Sequence, residues 1–227
     1  MTRKSFDMEL QRLQDQMLQL ASRVENVIIE AVEVLKRQDL ESAKHIITQD
    51  RDINKKRYEI EQDCLIAIAT QQPLAGDLRI LAAILDITDE LERMGDYAKG
   101  IAKITLMIGK QPLLKPLIDV PIMAEKTRKM LHRSLDAFVQ RDADLAREIP
   151  LGDDEVDNLY NMVYNELMTF VAADIKNIDQ ANYLLWVAHN LERTADRVTN
   201  ICERVIFTVT GEFIELDQET SGHESYT

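Results

Sequence analysis

Glycine, proline and aromatic residues are scarce in this chain: seven glycines, five prolines and 5% aromatics among 227 residues. Many-turned β architecture needs those residues at frequent intervals, so the composition speaks against it and favours helices. Cysteine is nearly absent too. Cys64 and Cys202 stand alone among apolar neighbours, without a CxxC or Cys/His pattern, and read as reduced core thiols instead of disulfide partners or zinc ligands. Basic residues are outnumbered, with 27 Lys and Arg against 40 Asp and Glu, for a formal net charge of −13. Such a field repels phosphate backbones and anionic lipid headgroups, so nucleic acid is not expected as a partner. Basic proteins and metal cations are the ligands it attracts, although the same charge also serves simple solubility. Long apolar runs are missing as well. The longest, around Ile80 to Leu85 and Tyr183 to Ala188, fall far short of the roughly 18 to 20 residues that cross a bilayer. The opening residues carry charge at Arg3, Lys4, Asp7 and Glu9, with no apolar stretch behind them. The expectation is a soluble cytoplasmic chain without direct membrane insertion.

What the chain has is heptad spacing. Leu10, Leu13, Met17, Leu20, Val24, Val27, Ala31 and Val34 alternate steps of three and four, the mark of one long amphipathic helix. Asp39 interrupts it; a short helical piece to about Thr48 and a second long helix from near Asp50 to Thr70 are predicted next, ending at Pro73. A third helix carries Ile84, Ile87, Leu91, Met94, Ala98 and Ile101 and stops at Gly109, a natural C-cap. Pro112, Pro116 and Pro121 then make 111–120 a linker. Beyond it the order of parts recurs: a helix with Met130, Leu131, Leu135 and Phe138, a short piece from Asp142 closed by Pro150 and Gly152, and a helix from Asp153 to about Ala173. After Asn177 comes a last helix with Leu184, Val187, Leu191, Val198 and Ile201. Trp186, in that helix, is expected as a core anchor. From Gly211 the tail is polar and expected to be loose.

The recurrence extends to motifs. Leu91-Glu92-Arg93-Met94-Gly95-Asp96 matches Leu191-Glu192-Arg193-Thr194-Ala195-Asp196 at an offset of 100, and Asp50-Arg51-Asp52-Ile53-Asn54 matches Asp153-Asp154-Glu155-Val156-Asp157 at an offset of 103. The three-residue difference falls in the turn between the second and third helices of each unit, where insertions are tolerated. An all-α fold of two tandem, repeated antiparallel three-helix bundles follows, over 1–110 and 121–209, with a tail over 210–227.

Within each repeat the acidic residues have a pattern. Glu92 and Asp96, like Glu192 and Asp196, stand four apart, on one helix face about one turn from each other. Two like charges there repel by only a few tenths of a kcal/mol, so each pair alone says little. The partner helix adds weight. Asp50 with Asp96 and Asn54 with Glu92 are both centred on position 73, the proline; Asp153 with Asp196 and Asp157 with Glu192 are both centred on 174.5. Antiparallel hairpins closed at those centres set one acidic turn opposite another, predicting a three-carboxylate cluster in the first unit and a four-carboxylate cluster in the second. Grouped carboxylates need a cation, protonation or separation in water. Oxygen-only ligands favour iron, manganese or magnesium over thiolate-bound zinc, and His189 stands where it could add a nitrogen. A solvated outer face, which positions b and f of the heptad also describe, is the competing reading.

The Leu91 to Ala98 motif, its copy at Leu191 to Asp196, the Gln71-Gln72-Pro73-Leu74-Ala75-Gly76-Asp77-Leu78-Arg79 turn and the Ser5-Phe6-Asp7 start together resemble the PhoU family over nearly the whole chain. The resemblance implies two similar three-helix bundles and a negative role in phosphate uptake and the phosphate-starvation response. It further implies contacts with a sensor histidine kinase and a phosphate ABC transporter's ATPase subunit, and peripheral recruitment to the membrane through them. It implies iron or another metal at Asp50, Glu92 and Asp96 in the first unit and at Asp153, Asp157, Glu192, Asp196 and Asn200 in the second. Asn54 and Gly100 depart from that pattern, which predicts a weaker first site.

Enzymatic readings find no support in the sequence. There is no core-facing Glu-x-x-His motif, no glycine-rich phosphate loop, no GxSxG elbow and no Cys/His dyad signal. An accessory protein of another phosphate permease, or a generic helical metal-binding scaffold, remains the alternative. A homodimer is expected in either case.

Overall fold

The computed structural model describes residues 3–216, and among them all regular structure is helical. Helix α1 spans Arg3–Arg37, α2 Leu40–Gln71 and α3 Ala75–Ile108; α4 spans Asp119–Gln140, α5 Ala143–Glu148, α6 Asp153–Ala173 and α7 Ile178–Thr210. The chain thus forms two groups, α1–α3 and α4–α7, each built on a long antiparallel hairpin, α2–α3 and α6–α7.

The apolar stripe of α1 is buried along its whole length, from Leu10 to Val34, as its spacing predicts. Helix α1 ends where Gln38 adopts a left-handed φ of 52°. Asp39 then caps α2, its Oδ1 accepting from the backbone N–H groups of Glu41 and Ser42. Asp142 does the same for α5 through Asp144 and Leu145.

The two repeats diverge after this shared cap. A break near Thr48 is absent, and α2 is one continuous helix of 32 residues. No proline or glycine falls between Leu40 and Gln71 to stop it. In the second group Pro150 and Gly152 do interrupt the helix, replacing one turn with a 3-10 segment over Ile149–Gly152 before α6.

Both groups contribute to one continuous buried cluster. Its seam is the antiparallel packing of α3 on α7. Arg197 pairs with Glu90 at 3.6 Å in a half-sheltered setting, Arg204 reaches Asp86 at 3.2 Å, and Gly100 sits against Asn190. A Cβ at Gly100 would lie 2.8 Å from Asn190 Nδ2, so this glycine gives clearance between the helices.

The segment between α3 and α4 is irregular but pinned. Gln38 Nε2 donates to the carbonyl of Gly109 at 3.1 Å, and Gln180 Nε2 donates to that of Pro112 at 2.9 Å. Lys115, buried, pairs with Asp119 and Glu166. Pro121 lies inside the first turn of α4, where its missing N–H has no intrahelical acceptor to lose.

Two expectations are corrected. Trp186 is 62% exposed: the buried stripe of α7 runs through Leu184, Val187, Ala188 and Leu191, which turns position 186 outward. The tail is not loose as far as residue 216. Phe213 stacks on Phe207 with centroids 4.2 Å apart, Arg204 lies over the Phe213 ring, and the Leu216 N–H donates to Glu203 at 2.9 Å. The remainder of the predicted tail lies outside the described residues. Cys64 and Cys202 are free and buried, and burial pushes each thiol up to about 12, as suits inert core residues.

Candidate metal centre

Hairpin register decides which acidic residues meet. Arg57 Nε donates to Asp89 at 2.6 Å across α2 and α3, and these two positions are centred on residue 73. Across α6 and α7 the rings of Tyr160 and His189, centred on 174.5, lie 6.3 Å apart. Both centres are those on which the acidic turns were paired. The register follows from apolar positions facing inward on each helix, with Ile53 packed at Gly95 and both residues buried.

In the first hairpin Asp50, Glu92 and Asp96 come together. Asp50 is only 5% exposed, and a lysine has entered the cluster: Lys99 Nζ lies 2.6 Å from Asp50 Oδ2 and 3.1 Å from Asp96 Oδ1. Asn54 Nδ2 donates to the same Asp50 Oδ2 at 3.3 Å. Asp50 Oδ1, buried, has no hydrogen-bond partner. Glu92 is pushed above the usual glutamate range by desolvation and by the charge of Asp96, with Arg57 acting in the opposite direction. Hydrogen bonding to Asp50 outweighs desolvation and raises the Lys99 ammonium above its ordinary value.

In the second hairpin Asp157, Glu192 and Asp196 are the mutually repelling set. Partial desolvation, then the charge of Asp196, raises Asp157; desolvation and the same Asp196 charge raise Glu192, to which Asp157 also contributes. His189 Nδ1 lies 3.1 Å from Glu192 Oε2 and lowers it in part. Desolvation and the Glu192 charge raise the neighbouring Tyr160 phenol. Arg193 pairs with Asp196 three residues along its own helix at 2.7 Å, and also hydrogen-bonds Tyr97 on α3. At the place of Lys99 this hairpin has Thr199, buried, with an unpartnered hydroxyl.

The remaining predicted residues stand differently. Asp153 opens α6, half-buried, and Asn200 is half-buried on α7, one turn beyond Asp196. Gly100, whose lack of a donor marked the first unit as weaker, has the packing role against Asn190 described above. Sequence reasoning missed Lys99, Arg193 and Arg57. Lys99 could have been found, since it stands three residues after Asp96, on the same helix face.

Among the described residues no three His, Cys, Asp or Glu side chains already converge as a coordination sphere. The donor chemistry nevertheless separates the two clusters. Asp157, Glu192 and Asp196 offer hard oxygen ligands whose mutual repulsion a cation would relieve, with His189 adjacent. Asp50 and Asp96 are already bridged by an ammonium.

Two tandem helical hairpins, each presenting an acidic turn on its outer face and joined through a common core, define a duplicated all-helical protein. The PhoU domain model matches residues 17–105 and again 120–205, one match for each repeat. The phosphate-specific transport system accessory protein PhoU homolog of Clostridium acetobutylicum is 37% identical over 96% of this chain and 100% of its own length. The phosphate-specific transport system accessory protein PhoU of Escherichia coli is 33% identical over 97% of this chain and 94% of its own. The crystal structure of the phosphate transport system regulatory protein PhoU from Streptococcus pneumoniae superposes with a TM-score of 0.86 at 33% identity, covering 93% of this chain and all of that one. The chain belongs to the PhoU family of phosphate-transport regulatory and accessory proteins, a regulatory and non-catalytic group. No helix among the described residues is long and apolar enough to cross a membrane.

Proposed function

We propose that this chain is a negative regulator of phosphate uptake and of the phosphate-starvation response. It acts in the cytoplasm as a homodimeric adaptor between the ATPase subunit of a phosphate ABC transporter and a sensor histidine kinase, and reaches the membrane through them. The observation that carries this reading is the match of both repeats to one family, over nearly the full length of relatives named for phosphate-specific transport. When the transporter reports sufficient phosphate, the adaptor holds the kinase in its inactive or phosphatase state. The acidic surface, at net charge −13, suits basic patches on such partners.

A metal ion, iron or another hard or borderline cation, belongs to the same reading. Asp157, Glu192 and Asp196 would hold it, with Asp153 and Asn200 as further oxygen donors and His189 beside them. Asp50, Glu92 and Asp96, predicted as the weaker site, already hold Lys99 between two of their carboxylates. At the second turn a cation would supply positive charge that neutralises the grouped carboxylates.

The test is deletion of the gene in phosphate-replete cells, scored by alkaline phosphatase or another starvation reporter, with the tagged protein recovered from membranes. High reporter output that the intact gene reverses, together with co-purified transporter ATPase and kinase, is the expected result. An unchanged reporter and neither partner would overturn the adaptor reading.

A further inference from the structure

The first acidic turn already contains a cation, and it belongs to the protein. We propose that Lys99 is a tethered replacement for metal: it completes the first cluster without a bound ion and leaves the second cluster as the one that takes metal.

Position is the first argument. The Lys99 ammonium, 2.6 Å from Asp50 Oδ2 on α2 and 3.1 Å from Asp96 Oδ1 on α3, ties the two helices at the point where a metal joining their carboxylates would bind. Only one cation fits between those oxygens, because an ammonium and a divalent ion so close would repel strongly. Lys99 is also covalently attached, so an incoming metal competes with a ligand at high effective concentration. The Lys99 side chain is 25% exposed and that of Asp50 6%, so salt screens this pair less than a surface pair.

Substitution between the repeats is the second. Where the second hairpin has Asp157, the first has the neutral Asn54, whose amide donates to Asp50; where the first has Lys99, the second has Thr199. One cluster has lost a negative charge and gained a positive one relative to the other. Arg193 does not play the part of Lys99. It pairs with Asp196 within its own helix and turns its other hydrogen bond to Tyr97 on α3, away from the facing helix of its own hairpin.

Asp50 Oδ1, inside a residue only 5% exposed, has no hydrogen-bond partner. Without Lys99, the whole of this buried carboxylate would need a cation. The other charged groups near the cluster are Glu92, Asp89 and Arg57, the last two paired with each other, and Arg23, Glu30 and Asp52, which line a cavity together with Asp50.

The inference concerns the metal reading above, and the test separates the two. Metal-free full-length protein and its Lys99→Thr and Lys99→Met variants are titrated with Mn2+ by equilibrium dialysis and by electron paramagnetic resonance. Thermal unfolding is followed with and without the ion. Wild type should bind Mn2+ at sites lost on Glu192→Gln and untouched by Glu92→Gln. Both Lys99 variants should gain a new class of site, abolished by adding Glu92→Gln, and should melt lower than wild type without metal but recover with Mn2+. The methionine variant keeps the apolar stem and guards against a packing defect. If wild type binds no Mn2+ but the Lys99 variants do, the metal reading of the second cluster fails and the role of Lys99 stands. If the variants gain no site, whether or not wild type binds, the inference is overturned.

Discussion

Helices α3 and α7 present the same Leu-Glu-Arg-x-x-Asp turn, yet the two copies have gone different ways. On α3 the turn faces a buried aspartate that Lys99 joins to Asp96, although Glu92 is still raised; on α7 it faces Asp157, and both Glu192 and Asp157 are raised. Duplication kept the backbone and the hairpin register while the charges diverged. A repeat can therefore preserve shape for packing in one copy and chemical tension in the other. Tension of that kind costs stability and is a common mark of a site that awaits a ligand.

The largest expected effect tests whether the copies are one cooperative unit. Leu91→Ala and Leu191→Ala each remove a fully buried side chain at matching positions. Each should lower unfolding free energy by about 2–5 kcal/mol in chemical denaturation. Because one cluster of buried residues spans both groups, either change should shift a single transition. Two separated transitions would break the comparison into two independent domains.

Next comes Lys99. Its folded pKa is raised, so its contribution is fully present below the unfolded value of about 10.4 and is lost as pH rises through the folded value. Lys99→Met should cost about 2 kcal/mol near neutral pH, the scale of hydrogen bonds to a charged group. The gap to wild type should close above about pH 10.4 in denaturation curves followed by circular dichroism. No such alkaline convergence is expected for Thr199→Val.

Capping offers a smaller contrast. Asp142→Ala should cost about 1 kcal/mol, and Asp39→Ala should act in the same direction. Loss of helicity should stay local to α5 for the first and spread into the start of α2 for the second, because a 3-10 break separates α5 from α6 whereas α2 is continuous. Amide hydrogen exchange would read the difference.

The smallest effect has the opposite sign. Glu192 is raised, so its ionised form weighs against the metal-free fold at neutral pH, fully above the folded pKa and no longer below the unfolded one. Glu192→Gln should therefore raise the melting temperature at pH 7 in the absence of metal. The gain should fade as pH falls towards the ordinary glutamate range of about 4.3. A destabilised Glu192→Gln protein at neutral pH would show that this turn is satisfied as it stands.

Much of this was legible beforehand, for reasons that can be named. The α1 stripe, the Gly109 stop and both hairpin centres follow from periodicity and punctuation, which act locally. Trp186 was misplaced by judging its residue type over its helix phase, when Leu184, Val187 and Leu191 already fixed the buried face. The break predicted near Thr48 has no residue to make it, since the proline and glycine that interrupt the second repeat have no counterparts in the first. Lys99 escaped notice because the acidic pattern was read for carboxylates alone, and what a lysine pairs with depends on the helix opposite. Docking of Phe213 on Phe207 depends on a chain reversal after Gly211, whose left-handed φ of 81° is a tertiary fact as much as a local one.

The α3–α7 seam has a consequence for biosynthesis. Glu90, Tyr97 and Gly100 on α3 meet partners at Arg197, Arg193 and Asn190, all about 100 residues later in the chain. At roughly 5–20 residues per second, a ribosome needs about 5–20 s to deliver them after α3 has emerged. During that interval the first hairpin must wait with one flank of α3 uncovered, an apolar surface open to aggregation until α7 arrives.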